Sequence, residues 1–144
     1  MADICHEFTV KAPRKKVFEM VSTPAGLDRW WTKTSSGEPK LGAEFSLGFG
    51  PGFDWLAEVT RCTALTSFEL KMLDSHEDWM KTRVTFGLEE EKAGVTRVRF
   101  QHTGWPLANK HWRVSCFCWA MYLRIMRRHL EFGEEVPYEK RLEV

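Results

Sequence analysis

The sequence predicts an α+β fold in which one curved antiparallel sheet packs against a single long C-terminal helix. Short alternating apolar segments separated by turn signals occupy residues 41–103, and a long amphipathic segment follows at about residues 111–132. Two short helical segments come directly after the first strand. A sheet that is apolar on one face must cover that face, and only the C-terminal helix is long enough to do so.

The N-terminal elements are predicted to be one strand and two short helices. Residues 4–12 alternate apolar and polar side chains, which is typical of a half-buried strand. Pro13 and Pro24 each begin a short helix, because proline is tolerated in a first helical turn. The second helix ends at Trp30 and Trp31, and we expect one ring to face the core and the other to lie at the rim of the interior.

Five further strands are predicted to form a meander with one buried face. They span residues 43–49, 54–62, 67–73, 79–88 and 95–102. Alternation places the following side chains inward: Phe45, Leu47, Phe49, Trp55, Ala57, Val59, Phe68, Leu70, Met72, Met80, Thr82, Val84, Phe86, Val98, Phe100 and His102. It places charged side chains outward: Glu58, Glu69, Lys71, Lys81, Arg83, Arg97 and Arg99.

The C-terminal helix is predicted from one apolar stripe and from the glycine that follows it. The stripe has helical spacing and consists of Trp112, Cys116, Trp119, Leu123, Met126 and Leu130. Gly133 is expected to end the helix, because glycine adopts the left-handed conformation of a helix cap. The charged tail over 134–144 is expected to be frayed, and residues 1–144 are expected to form one domain.

Composition excludes several classes of function. The 21 basic and 20 acidic residues nearly cancel, so neither nucleic acid nor an anionic membrane is predicted as the main partner. No apolar run is long enough for membrane insertion, and the first residues lack the pattern of a signal peptide. The four cysteines show no disulfide framework, so free thiols and a cytoplasmic location are expected.

Several spaced motifs resemble one known family. They are Pro13 with Val17 and Phe18, the segment TPAGLDRWWT at 23–32, Gly42 with Phe45, VTRVRFQHTGW at 95–105, and Trp119, Leu123, Leu130, Glu131 and Gly133 in the last helix. Their order is similar to that of the Bet v 1-like (SRPBCC, START-like) helix-grip superfamily, and within it the AHSA1-like family related to the C-terminal domain of the activator of Hsp90 ATPase. The resemblance implies a helix-grip fold over nearly the whole chain. It leaves the function open, since relatives include chaperone cofactors, lipid carriers and cyclases.

A small hydrophobic or amphipathic molecule is the predicted ligand. A straight helix across a curved sheet leaves a gap, and apolar gaps with a few polar points are the usual small-molecule sites. His102, His6 and Thr82 are the inward polar groups that could orient such a ligand. The predicted ligand-binding residues are Trp31, Phe45, Trp55, Thr82, Phe86, Phe100, His102, Cys116, Trp119 and Leu123. The alternative is a nearly closed core.

No catalytic residue, metal site or cofactor is predicted. Cys116 and Cys118 point about 200° apart on a helix and cannot bind one ion together. General acid–base chemistry would need a carboxylate near His102, whereas strand alternation turns the nearest carboxylates outward. Two alternative functions remain: an Hsp90-type co-chaperone, which the resemblance implies, and a cyclase or hydrolase, which requires such a carboxylate.

The far side of the C-terminal helix is predicted to be an interface. Four apolar residues lie there within a sector of about 80°: Val114, Phe117, Met121 and Ile125. Basic residues flank them: Arg113, Arg124 and Arg128. A contiguous apolar stripe with a basic rim predicts a homodimer or a partner protein. Cover by the tail around Val136 and Tyr138 is the alternative.

Overall fold

A computed structural model describes residues 2–144 and contains seven strands and three α-helices. The strands are β1 (Ala2–Val10), β2 (Thr34–Ser36), β3 (Glu44–Gly48), β4 (Asp54–Thr63), β5 (Ser67–Asp74), β6 (Arg83–Lys92) and β7 (Val95–Trp105). The helices are α1 (Arg14–Ser22), α2 (Pro24–Leu27) and α3 (Lys110–Phe132). Two 3-10 helices span Glu77–Trp79 and Tyr138–Glu143.

All seven strands form one antiparallel sheet in the order β1-β7-β6-β5-β4-β3-β2. Strands β2 to β7 follow one another as a meander, and the last strand, β7, pairs with the first strand, β1, which forms one edge of the sheet. Helix α3 lies against the apolar face, and Gly133 ends it in the left-handed conformation with φ 69°. The predicted α+β architecture is confirmed. In residues 2–144 no helix is both long and apolar enough to cross a membrane.

Helices α1 and α2 pack closely at one end of the sheet. Thr23 separates them and caps α2 by accepting a hydrogen bond from the amide of Gly26. A Cβ atom at position 26 would collide with the carbonyl oxygen of Glu19, so glycine permits the close approach of the two helices. The turn after α2 then carries both Trp30 and Trp31 into the core.

The strand predicted at 79–88 begins later than expected, so its predicted start was wrong. Residues 77–79 form a 3-10 helix, and β6 begins only at Arg83. Lys81 has a left-handed φ of 65°, which breaks the alternation of the extended chain. Trp79 is therefore buried, whereas Met80, expected inward, is 38% exposed. The short edge strand β2 was not predicted.

The tail is ordered, contrary to the expectation that it frays. The guanidinium of Arg141 donates hydrogen bonds to the backbone carbonyls of Asp28 (2.6 Å), Thr32 (3.0 Å) and Val136 (3.2 Å). These bonds hold the last 3-10 helix, which contacts α3. The guanidinium group carries five N–H donors in one plane, so a single arginine can bond to carbonyls of separate segments in this way.

Part of the apolar stripe predicted as an interface on α3 is buried within the protein. Met121 and Ile125 are buried in the main core, against which Val136 also packs, so they are not part of a free surface. Only Val114 and Phe117 of the four predicted interface residues are exposed. The prediction of a continuous exposed stripe is therefore wrong, and the exposed part is confined to the first half of α3.

Candidate functional site

Aromatic rings fill the centre of the interior around Trp119. The ring centroid of Trp119 lies 4.5 Å from Phe100, 5.1 Å from Trp31 and 5.8 Å from Trp79. Helix α3 supplies Trp119, whereas the neighbouring rings come from the sheet and from the loops at its end. Aromatic pairs at such distances contribute packing energy beyond simple area burial.

A chain of hydrogen bonds runs through this aromatic interior. The indole N–H of Trp119 donates to His102 Nδ1 at 3.0 Å. An indole nitrogen can only donate, so Nδ1 of His102 is unprotonated and Nε2 carries the hydrogen. That Nε2 donates to Thr82 Oγ1 at 2.8 Å, and Thr82 Oγ1 donates to the carbonyl of Trp79 at 2.6 Å.

His102 is consequently a neutral structural residue. Burial, with a smaller contribution from the charge of His111, lowers the pKa of His102 from 6.5 to about 3. Both ring nitrogens already have partners. His102 therefore orients Trp119, and it has no free nitrogen with which to bind a ligand or to move a proton.

The chamber expected among the aromatic residues is occupied by their own side chains. A space of about 40 Å³ lies beside Trp119 and is lined by Trp31, Trp79, Ser115, Cys118, Trp119 and Tyr122. This is room for a water-sized molecule rather than for an organic ligand. Neither of the two adjacent tryptophans lies at the rim, as was expected for one of them: Trp30 is fully buried, and Trp31 is only 2% exposed because the turn after α2 points its ring at Trp119.

The other predicted ligand-binding residues are distributed through the core. Phe45 packs against Phe68 at 5.8 Å, and Phe86 packs against Phe100 at 5.4 Å. Trp55 is half-buried and lies 5.1 Å from the ring of Trp79. These contacts bury the side chains against one another.

A groove of about 190 Å³ lies between the edge strand β1 and helix α3. It is lined by His6, Glu7, Phe8, Ala120, Leu123, Arg124 and Arg127. Of the predicted ligand-binding residues Leu123 lines it, and so does His6, one of the polar groups expected to orient a ligand. Cys116 lies beside it, because its carbonyl oxygen is 3.2 Å from Nε2 of His6. The groove thus lies between sheet and helix, but at the edge of the sheet and outside the predicted aromatic chamber.

The charge of the groove is mainly positive. Arg124 and Arg127 are three residues apart on α3 and so lie on the same side of the helix. In the described part of the chain neither forms an ion pair with an acidic side chain. The carboxylate of Glu7 also lines the groove, but Arg97 (3.2 Å) and Arg99 (3.0 Å) already pair with it.

Sequence reasoning did not assign these arginines to a ligand site: it placed Arg124 at the rim of the predicted interface and did not single out Arg127. On a helical wheel, Ala120, Leu123, Arg124 and Arg127 occupy one sector beside the core stripe, and this signal was available. The sequence does not reveal that β1 lies opposite that sector.

Comparison with known proteins identifies the family. The family model for activator of Hsp90 ATPase homolog 1-like proteins matches residues 11–131. The chain belongs to this AHSA1-like family. No curated protein sequence matches the chain significantly.

Solved structures of other proteins share the AHSA1-like fold. The Aha1 dimer from Colwellia psychrerythraea is 28% identical, with a TM-score of 0.83 over 93% of this chain and 99% of that one. Protein SSP2350 from Staphylococcus saprophyticus is 21% identical, with a TM-score of 0.78 over 94% and 96%. Protein BH1534 from Bacillus halodurans is 24% identical, with a TM-score of 0.74 over 91% and 98%. The last two similarities concern the fold alone.

Proposed function

We propose that this AHSA1-like protein binds a small amphipathic molecule with an anionic head group in the groove between β1 and α3. The observation that carries the proposal is the pairing of an apolar lining with two arginines that have no acidic partner in the described chain. Phe8, Ala120 and Leu123 provide apolar contacts, while Arg124 and Arg127 provide positive charge.

The size of the groove restricts the ligand class. Sites for drug-sized molecules usually have volumes of about 300 Å³ or more. A groove of about 190 Å³ suits a shorter molecule, such as a medium-chain carboxylate. Arginine binds carboxylates through parallel N–H donors, so two adjacent guanidinium groups favour a carboxylate over an uncharged alcohol of the same chain length.

Nuclear magnetic resonance can test the location directly. We expect sodium octanoate to shift backbone amide signals of His6, Phe8 and residues 120–127, and we expect octan-1-ol to shift them less at equal concentration. Shifts concentrated at Trp31, Trp79 and Trp119 would place the ligand in the aromatic interior instead. No saturable shifts with either probe would contradict the proposal.

We also propose that two copies associate through the exposed apolar pair at the start of α3. Val114 and Phe117 are 48% and 75% exposed, and they lie about one helical turn apart. The 28% identical relative from Colwellia psychrerythraea is described as a dimer, which supports a second copy as the occupant of this surface. A twofold arrangement would bring each Phe117 towards the partner helix.

A second candidate function is regulation of an Hsp90-type ATPase. The family match over 11–131 and the 28% identity to an Aha1 protein favour it. The test is the rate of ATP hydrolysis by a purified Hsp90-type chaperone with and without a saturating amount of this protein. An increased rate is expected for an activator, and an unchanged rate would contradict this candidate.

A further inference from the structure

A cluster of potential metal ligands lies at the start of α3, separate from the groove. His76, Asp78 and His111 each offer a ligand atom, and these atoms lie within 4.8 Å of one another. His111 Nδ1 is 2.9 Å from Asp78 Oδ2, and His76 Nδ1 is 4.0 Å from the same oxygen. His111 precedes Ala120 by nine residues, which is about 14 Å along the helix axis.

We infer that His76, Asp78 and His111 form a binding site for Zn²⁺. Imidazole nitrogens and a carboxylate oxygen are preferred zinc ligands, and three protein ligands leave a fourth position open for water or for a ligand oxygen. Neighbouring ligand atoms around tetrahedral zinc are about 3.3 Å apart, given bonds of about 2.0 Å. The 2.9 Å between His111 Nδ1 and Asp78 Oδ2 already approaches this value, and the 4.0 Å between His76 Nδ1 and the same oxygen needs only a small contraction.

The surroundings support these roles. Asn109 caps α3 by accepting the amide hydrogen of Trp112 on Oδ1, which directs its Nδ2 towards Asp78 Oδ2 at 3.5 Å. This neighbour orients the carboxylate in the manner of outer-sphere groups around metals. His76 Nδ1 accepts a hydrogen bond from the amide of Asp78, so the lone pair of this nitrogen points towards Asp78, and zinc would take the place of the amide hydrogen as its partner.

The ligands also come from segments that a metal would join. His76 and Asp78 belong to the connection between β5 and β6, whereas His111 belongs to the first turn of α3. Their side chains are partly exposed, with 47%, 22% and 35% accessible, so an ion can reach them without unfolding. Bound zinc would stabilise this connection against the helix, because binding to the folded state alone raises stability.

Isothermal titration calorimetry with zinc chloride tests the site on tag-free, metal-stripped protein. We expect one zinc ion per chain, with binding weakened by about tenfold or more in His76→Asn, Asp78→Asn and His111→Asn. Asparagine can retain local hydrogen bonds to the backbone but is a poor zinc ligand. His129→Asn is the matched control, since His129 lies on the same helix and contacts the carbonyl of Glu134; it should bind zinc as the wild type does.

Cobalt provides an independent readout. Co²⁺ at the site should give visible absorption typical of four-coordination and should quench the fluorescence of Trp105, whose ring is 5.2 Å from that of His111. Absence of stoichiometric zinc binding by the wild type would overturn the proposal. Zinc affinity that is unchanged in all three ligand variants would also overturn it, because the ion would then bind elsewhere.

Discussion

The indole nitrogen of Trp30 donates a hydrogen bond to the backbone carbonyl of Met20 at 3.0 Å. In a continuing helix that carbonyl would accept the amide hydrogen of residue 24, but Pro24 has none. Trp30 therefore satisfies a buried acceptor that the proline leaves open. Its neighbour Trp31 packs on Trp119, with ring centroids 5.1 Å apart, so the two adjacent tryptophans have different structural roles.

This difference predicts unequal effects of two matched substitutions. Trp30→Phe and Trp79→Phe remove the same atoms from buried rings, but the indole N–H of Trp79 has no hydrogen-bond partner. Trp30→Phe should reduce the free energy of unfolding by about 1–2 kcal/mol more than Trp79→Phe, because it leaves the Met20 carbonyl unsatisfied. Urea denaturation measures both, and equal losses would contradict the role of the Trp30 hydrogen bond.

The pH dependence of stability should reflect the buried His102. Its folded-state pKa of about 3 lies below its ordinary value of 6.5, so between these values the unfolded chain binds more protons than the folded one. Stability contributed by neutral His102 is therefore lost as pH falls from about 6.5 towards 3, by up to about 1.4 kcal/mol per pH unit.

Comparison with His102→Gln isolates this contribution from that of other titrating groups. The variant is expected to be less stable than the wild type near neutral pH, because Gln does not reproduce the contacts to Trp119 and Thr82. The difference in unfolding free energy should narrow as pH falls from 6.5 to 4. A difference that stays constant over this range would show that His102 does not titrate as described.

The ordered tail should depend on Arg141. Arg141→Gln removes most of the donors that hold the carbonyls of Asp28, Thr32 and Val136, and it should lower the unfolding free energy by about 2 kcal/mol. Hydrogen exchange at residues 138–143 should accelerate. Lys140→Gln is the control, since its exposed ion pair with Glu143 contributes less than about 1 kcal/mol. Equal effects of the two substitutions would contradict this account of the tail.

The proposed dimer contact gives a direct test with Phe117→Glu. Burying a charge against a second copy is unfavourable, so the variant should be monomeric by light scattering while circular dichroism shows an intact fold. Phe53→Glu is a suitable control, because Phe53 is also exposed but lies in the turn before β4. A wild type that remains monomeric at high concentration would rule out the dimer.

Sequence periodicity was sufficient to predict which side chains lie in the interior for much of the fold. The apolar stripe of α3 placed Trp119 towards the sheet, and strand alternation placed Thr82 and His102 in the interior. Alternation failed at Trp79 and Met80, because the left-handed residue before β6 is a lysine rather than the glycine that usually signals such a turn.

The candidate site was harder to predict. A helical wheel groups Arg124 with Arg127, but their role depends on β1, which reaches α3 only through pairing with the last strand. Whether the aromatic side chains fill the interior likewise depends on how they pack, which periodicity does not describe. The tail is charged, yet Arg141 bonds to three separate carbonyls and Tyr138 donates a hydrogen bond to the carbonyl of Phe49, so the tail is ordered by contacts that its composition does not reveal.

Calorimetric titration of octanoate into two charge-matched double variants tests whether Arg124 and Arg127 bind an anionic ligand in the groove. Arg124→Gln with Arg127→Gln should weaken binding by about tenfold, whereas Arg113→Gln with Arg128→Gln should leave it unchanged, because those arginines do not line the groove. Octan-1-ol should bind weakly and equally to all three proteins. Equal losses of octanoate affinity in both double variants, or no binding by the wild type, would contradict a specific anionic ligand in the β1–α3 groove.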